Sequence, residues 1–283
     1  MSEKRRRRAR LRGKLLASGL VLLALAAAAV LAPWLSPYSP SEQDLLASKE
    51  SPSPGHWLGT DVLGRDVLSR MIWGTRVSLA VGLVVVGLEI VVGAGVGLAA
   101  GYRGGWVDLV ALRVADVTFA FPPLLFAILI VALLGPSLVN ILLALMIVGW
   151  PELARLTRSE VLGLRELEFV EAAHALGAAG RRVVGRHLVP NLLNTVLVQS
   201  SLRVGRVVVA ESVLSFLGIG LQPPTPSWGS MINEGLEYLR TSPHLTLFPG
   251  AGLVLIVLAF NFLGEGLRET LDPRLRHLRT REG

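Results

Sequence analysis

Residues 168–191 read EFVEAAHALGAAGRRVVGRHLVPN, a polar island in a chain that is otherwise mostly apolar. Apolar residues recur at helical spacing from Phe169 to Leu176, and Gly177 stands where a helix would end. The helical pattern then resumes until Pro190 stops it. Alanine pairs and a glycine at the bend let another surface approach the backbone closely. The stretch therefore predicts a helix, a turn and a helix that serve as a docking element.

Composition identifies the surroundings of this island as a membrane. The chain has 283 residues, of which 52% are hydrophobic and only 17% charged, and its mean hydropathy is +0.56. Such a chain is too apolar for an ordinary water-soluble domain. The net charge of +7 does not indicate nucleic acid, because the arginines lie in loops beside apolar runs. The absence of cysteine excludes disulfides, thiolate metal sites and cysteine nucleophiles.

The chain begins with a basic segment, residues 1–14, followed by an apolar run at 15–35. A cleavable signal peptide also begins this way. The run is long enough to span a membrane, since about 20 residues cover the hydrocarbon core, and no clear cleavage site follows it. We expect a retained first transmembrane helix.

Six spans are predicted in all. Five have the approximate ranges 15–35, 77–101, 112–134, 192–217 and 245–263, and the remaining one has 141–150 as its core and ends at Pro151. Segment 36–76 is expected outside the cell, a permease core at 77–267 includes the internal loop 166–191, and residues 268–283 form an internal tail. Arginine and lysine concentrate in the segments placed inside, Arg181, Arg182 and Arg186 among them, which predicts that both termini are cytoplasmic.

No catalytic motif is present. Gly-x-x-x-x-Gly-Lys-Ser/Thr is missing, so ATP hydrolysis would have to come from another polypeptide. The five histidines show no metal-ligand spacing, and Gly-x-Ser-x-Gly is absent. We expect no catalytic residue, metal or cofactor. A membrane enzyme that uses Glu89, Asp116 or Glu211 and an ion-driven secondary transporter remain as alternative functions.

Four charged residues fall within predicted spans: Glu89, Arg203, Arg206 and Glu211. A charge at the centre of a membrane helix costs about 2.5 to 3.5 kcal/mol on insertion scales, so such residues usually face a partner or a water-filled cavity. Our hypothesis is that Glu89 pairs with Arg203 or Arg206 beside a transport path. The alternative is that the arginines reach toward the interface and only stabilise packing.

The docking island resembles the EAA loop of ABC importer permeases. The matching positions are Glu171, Ala172, Ala173, Gly177, His187 and Pro190, with Val189 where the family usually has leucine. The resemblance implies that this loop inserts into a groove on a cytoplasmic ATPase and carries its motion into the membrane.

Other blocks extend the resemblance. Asp61, Gly64, Arg65 and Asp66 resemble the extracytoplasmic signature of the dipeptide, oligopeptide and nickel branch, and Glu211 lies in AESVLSFLGIG, which resembles the family's fifth-span motif. The EAA loop and the block LAFNFLGEGLRETLDPRLR, together with the six-span layout, resemble the smaller permease subunit of this branch. Glu89, Arg203 and Arg206 depart from the apolar residues usual in the family.

This resemblance implies an all-α integral membrane protein with the type I ABC importer permease fold, located in the inner membrane of a prokaryote. The implied partners are a second homologous permease, two cytoplasmic ATP-binding subunits, an extracytoplasmic solute-binding protein and the lipid bilayer, with no nucleic acid. The implied solute is a dipeptide or oligopeptide; nickel or another small solute is the alternative.

Overall fold

The structure is a computed structural model that describes the backbone of residues 3–271 and the side chains from residue 13 onward. Most of the predicted basic segment 1–14 and the end of the predicted tail 268–283 lie outside the described side chains. Within residues 3–271 the regular secondary structure is helical, apart from one isolated β-bridge between Thr60 and Asp66. The prediction of an all-α chain is confirmed.

Twelve α-helices lie within the described residues. They are α1 (Glu3–Val30), α2 (Ala32–Leu35), α3 (Val67–Glu89), α4 (Gly95–Arg103), α5 (Gly105–Phe119), α6 (Pro123–Leu134), α7 (Leu138–Arg165), α8 (Glu168–Ala175), α9 (Gly180–Val183), α10 (Val189–Phe216), α11 (Trp228–Leu236) and α12 (His244–Leu271). A π-helical turn at Ile90–Ala94 joins α3 to α4, and another at Val184–Leu188 joins α9 to α10.

Within the part of the chain that the structure describes, five helical stretches are long and apolar enough to cross a membrane: Gly13–Val30, Val67–Arg103, Leu138–Arg165, Gly180–Phe216 and His244–Leu271. The helices α5 and α6 pass the same test only together, with a bend of 85° between them. The predicted count of six therefore holds if this bent pair is one span. Pro122 and Pro123 lie at the break between these two helices, because Pro123 begins α6.

Two prolines do not end helices as predicted. Pro151 lies inside α7, which continues to Arg165, and membrane helices tolerate proline where neighbouring groups satisfy the freed backbone. Pro190 lies in the first turn of α10, directly after the π-helical turn, whose wider winding accommodates a residue without an N–H. The helix after Gly177 therefore runs on into the next span.

Glycines bring α4 and its preceding turn close to α7. A β-carbon on Gly93 would lie 2.6 Å from the Trp150 carbonyl oxygen, and one on Gly97 would lie 2.3 Å from that of Ala154. The two glycines, four positions apart, form one small-residue face toward α7. Close backbone approach stabilises helix pairs in lipid through van der Waals packing.

Candidate coupling and translocation sites

Segment 166–191 contains two helices joined by a turn at Gly177. The turn is a Schellman motif, in which Gly177 N–H donates to the His174 carbonyl (2.9 Å) and Ala178 N–H donates to the Ala173 carbonyl (3.0 Å). Gly177 has a φ of +76°, a conformation that glycine adopts without steric cost. The helix and turn lie where the sequence predicts them.

The tip of this hairpin is open to a partner. Leu176 is 89% exposed, and Glu171, Ala172 and Gly177 are also exposed, while Ala173 is partly buried. A β-carbon on Gly177 would meet nothing within 4 Å in the chain itself. The tip therefore combines an exposed leucine with small residues, which suits close docking of another protein.

A separate small core fixes the base of the hairpin. Its buried members are Val161, Val170, Val183, Leu188 and Leu192. The half-buried His187 ring lies 5.9 Å from the Phe169 ring, and Asn191 Nδ2 donates to the His187 carbonyl at 2.6 Å. Pro190 is exposed. His187 thus joins the two helices at their base and does not reach the tip.

The end of α4 contacts both the last residue of α7 and the hairpin that follows it. Arg165 Nη1 donates to the Gly101 carbonyl at 2.8 Å, and the Arg165 guanidinium lies over the Tyr102 ring. Gly180 packs against Tyr102, whose hydroxyl would lie 2.7 Å from a β-carbon at that position. The hairpin therefore contacts α4 through Gly180 and continues directly into α10.

Four charged side chains form one network among α3, α7 and α10. Arg203 Nε lies 2.6 Å from Glu89 Oε2, and Arg203 Nη2 donates to the Gly149 carbonyl at 2.9 Å. Arg203 Nη1 also donates to Glu152 Oε2, and Glu152 Oε1 lies 3.0 Å from Arg206 Nη2. Glu89 therefore pairs with Arg203, while Arg206 pairs with Glu152.

The network has a buried half and an exposed half. The Glu89 and Arg203 side chains are 1% and 7% exposed, whereas those of Glu152 and Arg206 are 50% and 58% exposed. Two arginines and two glutamates balance in charge. Glu89 ends α3 directly before the π-helical turn Ile90–Ala94, an irregularity often found beside functional residues.

Glu211 does not belong to this network. It is fully buried, and its hydrogen-bond partners are the hydroxyl groups of Ser215 (2.7 Å) and Ser212 (3.5 Å) on its own helix. Asp116, the other acid named as a candidate for an embedded enzyme, lies on the exposed side of α5 and pairs with Arg155. The structure therefore does not bring Glu89, Asp116 and Glu211 together.

The predicted outer signature forms a second ion-pair cluster. Arg65 bridges Asp61 (Nε to Oδ2, 2.6 Å) and Glu234 of α11 (Nη2 to Oε2, 2.7 Å). Arg70 contacts the same two carboxylates, at 2.8 Å from Glu234 Oε2. The buried Asp66 caps α3 by accepting the Ser69 N–H at 2.7 Å. This cluster holds segment 59–66 against α11.

Gly64 is required for this turn. Its φ is +71°, and a β-carbon there would lie 1.7 Å from the Asp44 carbonyl oxygen. The turn therefore closes against the preceding loop with no room for a side chain.

Sequence reasoning missed Gly149, Glu152, Arg70 and Glu234. Glu152 follows Pro151 directly, and the predicted end of the fourth span at Pro151 leaves Glu152 outside that span. Recognising that membrane helices tolerate proline would have kept Glu152 inside the span. The pairing of Glu234 with Arg65 across 169 positions has no local signal. Among the side chains of residues 13–271, His, Asp and Glu form no group of three able to hold a metal ion.

Comparison with known families decides the class of this protein. The family model described as "Binding-protein-dependent transport system inner membrane component" matches residues 93–277, more than half of the chain. The chain belongs to this family. A second model, the N-terminal transmembrane domain of oligopeptide transport permease C, matches residues 14–52, which include most of α1.

Curated relatives extend the match over nearly the whole chain. The glutathione transport system permease protein of Pectobacterium atrosepticum is 43% identical over 92% of this chain and 87% of its own length. The dipeptide transport system permease protein of Alkalihalophilus pseudofirmus is 41% identical over 94% of this chain and 88% of its own length. A glutathione transport system permease protein of Escherichia coli is 40% identical over 95% of this chain and 89% of its own length.

These matches confirm the resemblance to the dipeptide and oligopeptide branch of ABC importer permeases. The chain is a multi-pass membrane permease subunit, a transport component and not an enzyme. Membership in the family implies that ATP-hydrolysing and solute-binding proteins work with it.

Proposed function

We propose that this chain is one permease half of an ATP-driven importer of short peptides. The relatives are named for glutathione and for dipeptides, and both solutes are short peptides with free charged ends. The proposed complex contains a second homologous permease, two ATP-binding subunits inside the cell and a solute-binding protein outside. The observation that carries the proposal is the exposed hairpin 168–188, with a small-residue turn at Gly177 and a stable core beneath it.

The hairpin is built to transmit motion. Its second helix begins at Gly180 and continues without a break to Phe216, a stretch of 37 residues that carries Arg203, Arg206 and Glu211. At 1.5 Å per residue, Gly180 and Arg203 lie roughly 35 Å apart along one helix. Closure of the ATPases around the tip would therefore move the charged network as part of the same rigid element.

Alternating access follows from this connection. When the ATPases close on ATP, the hairpin moves α10 against α3 and α7, and the path opens outward to receive solute from the binding protein. Hydrolysis releases the hairpin and resets the path inward. The Glu89–Arg203 pair and its neighbours lie between the three helices that would rearrange.

The orientation can be tested directly because the chain contains no cysteine. Single cysteines at Leu176 and at Leu46, which is fully exposed, would react with a membrane-impermeant maleimide without background labelling. In right-side-out vesicles we expect labelling at position 46 and, only after permeabilisation, at position 176. Labelling of position 176 from outside would contradict the proposed topology and the ATPase docking role together.

Transport is tested with the complete complex in proteoliposomes. We expect uptake of dialanine that requires the binding protein and ATP. Uptake driven by an ion gradient without the ATPases would indicate a secondary transporter instead. Uptake of nickel ions and not of peptides would contradict the proposed solute class.

A further inference from the structure

The exposed half of the charged network, Glu152 and Arg206, is accessible to a ligand or a partner. Both residues lie on helices long and apolar enough to cross a membrane, and each exposes half or more of its side chain. Charged groups in that position face a partner or water, since contact with lipid is costly. The pair therefore borders a polar space in the assembled transporter.

The pair presents opposite charges side by side. Arg206 uses Nη1 and Nη2 toward Glu152, at 3.3 and 3.0 Å, and the exposed remainder of its guanidinium is open to an incoming anion. Glu152 is held on its other side by Arg203. A guanidinium beside a carboxylate complements a solute that carries both a carboxylate and an ammonium group.

We propose that Glu152 and Arg206 form a low-affinity contact site for the charged ends of zwitterionic peptides in the translocation path. Arg206 receives the solute carboxylate, and Glu152 receives the ammonium group. This assignment deepens the proposed peptide import and rests on it. No covalent step is involved, and the solute only exchanges ion-pair partners with the resident pair.

The buried half of the network keeps the site in place during this exchange. When a solute separates Arg206 from Glu152, the contact of Glu152 with Arg203 remains, and Arg203 stays anchored by Glu89 and by the Gly149 carbonyl. The exposed pair itself is weak because water screens it, so a solute can displace it and leave again. A solute can pass through the transporter only if its binding at each contact is weak enough for it to leave.

The proposal is tested with Arg206→Gln and Glu152→Gln in the complete complex in proteoliposomes. The probes are dialanine, dialanine amide, which lacks the carboxylate, and N-acetyl-dialanine, which lacks the ammonium group. For each peptide the uptake rate of the variant is divided by that of the wild type, so the selectivity of the binding protein cancels. Arg155→Gln, at an exposed ion pair one turn away on α7, is the matched control.

We expect Arg206→Gln to lower dialanine uptake about tenfold, the effect of losing one charge-assisted hydrogen bond, and to leave the uptake of the amide near the wild-type rate. Glu152→Gln should show the converse, with N-acetyl-dialanine the least affected peptide. Arg155→Gln should not discriminate among the three peptides.

Three results would overturn the contact site while leaving peptide import in place. An equal loss of uptake for all three peptides would indicate that the pair has a structural role. Uptake rates equal to those of the wild type would show that the pair does not contact the solute. Loss of complex assembly without a change in peptide preference would assign the pair to the contact with the second permease. A wild-type complex that imports no peptide would instead overturn the peptide assignment, and the contact site with it.

Discussion

The Glu89 carboxylate occupies the space beside Gly149 where any other residue would place a side chain. A β-carbon on Gly149 would lie 1.6 Å from Glu89 Oε1 and 2.8 Å from Arg203 Nη2. Only glycine therefore allows the buried ion pair to reach the backbone of α7. This contact ties the charged network to the packing of three spans.

Gly149→Ala should destabilise the protein, because the added methyl group cannot fit without displacing the Glu89 carboxylate. Overpacking of this kind costs about 1 to 3 kcal/mol. Gly163→Ala, in the same helix, is the matched control, since a β-carbon there meets nothing within 4 Å. We expect a lower thermal midpoint for Gly149→Ala in detergent and an equal or higher one for Gly163→Ala. Equal midpoints for the two variants would contradict the close contact.

Removal of Arg203 should be more damaging than neutralisation of Glu89. Arg203→Met leaves Glu89 buried without its cation, and breaking a buried pair in this way costs about 3 to 5 kcal/mol. Glu89→Gln leaves Arg203 paired with Glu152, so we expect a smaller loss of about 1 to 3 kcal/mol. Thermal unfolding of the purified complex measures both.

Arg206→Gln provides the control for this comparison, because an exposed ion pair contributes only about 0 to 1 kcal/mol. The expected order of thermal midpoints is Arg206→Gln highest, Glu89→Gln next and Arg203→Met lowest. If Glu89→Gln were the least stable, Arg203 would not be the centre of the network.

Much of this architecture could be predicted from local sequence. Apolar runs identify the spans, and the glycine after an amphipathic segment identifies the turn at Gly177, because both signals arise from neighbouring residues. The choice of Arg203 over Arg206 as the partner of Glu89 could not be predicted. The two arginines lie three positions apart on one helical face, and only the packing of α3 against α10 decides between them.

Proline marks the other limit of prediction. In water-soluble helices proline usually ends or kinks the helix, and that rule predicts helix ends at Pro151 and Pro190. In this chain Pro151 lies within a span and Pro190 follows a π-helical turn. Because the predicted span ends at Pro151, Glu152, one position beyond it, is not among the predicted intramembrane charges. Local rules for helix ends thus fail where neighbouring helices satisfy the backbone.

The cluster around Glu234 should control the attachment of α11 to segment 59–66. Glu234→Ala leaves Arg65 and Arg70 with Asp61 as their common carboxylate, so we expect α11 to open more often. Amide hydrogen exchange in residues 228–236 should accelerate about tenfold, the effect of one lost charge-assisted contact. Glu237→Ala, an exposed acid at the end of the same helix, should not change the exchange rate. Equal exchange in both variants would remove Glu234 from this role.

Gly177 and Gly218 offer a matched pair for testing the coupling role of the hairpin. Both glycines follow the end of a helix in a Schellman motif, with φ values of +76° and +79°, and a β-carbon at either position meets nothing within 4 Å. Asparagine tolerates this left-handed conformation better than other L residues. The substitution to asparagine therefore adds a side chain at each turn with little strain.

We expect Gly177→Asn to lower ATP-dependent uptake by at least about tenfold, because the new side chain would hold the ATPase surface away from the hairpin tip. Gly218→Asn should retain uptake, since its turn lies at the far end of α10. Membrane insertion and thermal midpoint should match in the two variants, which separates docking from folding. Gly177→Ala adds less bulk but costs about 1 to 2 kcal/mol of backbone strain. A loss of uptake in Gly177→Ala that Gly177→Asn does not share would therefore indicate strain. Equal uptake by the two asparagine variants would show that nothing docks closely at Gly177.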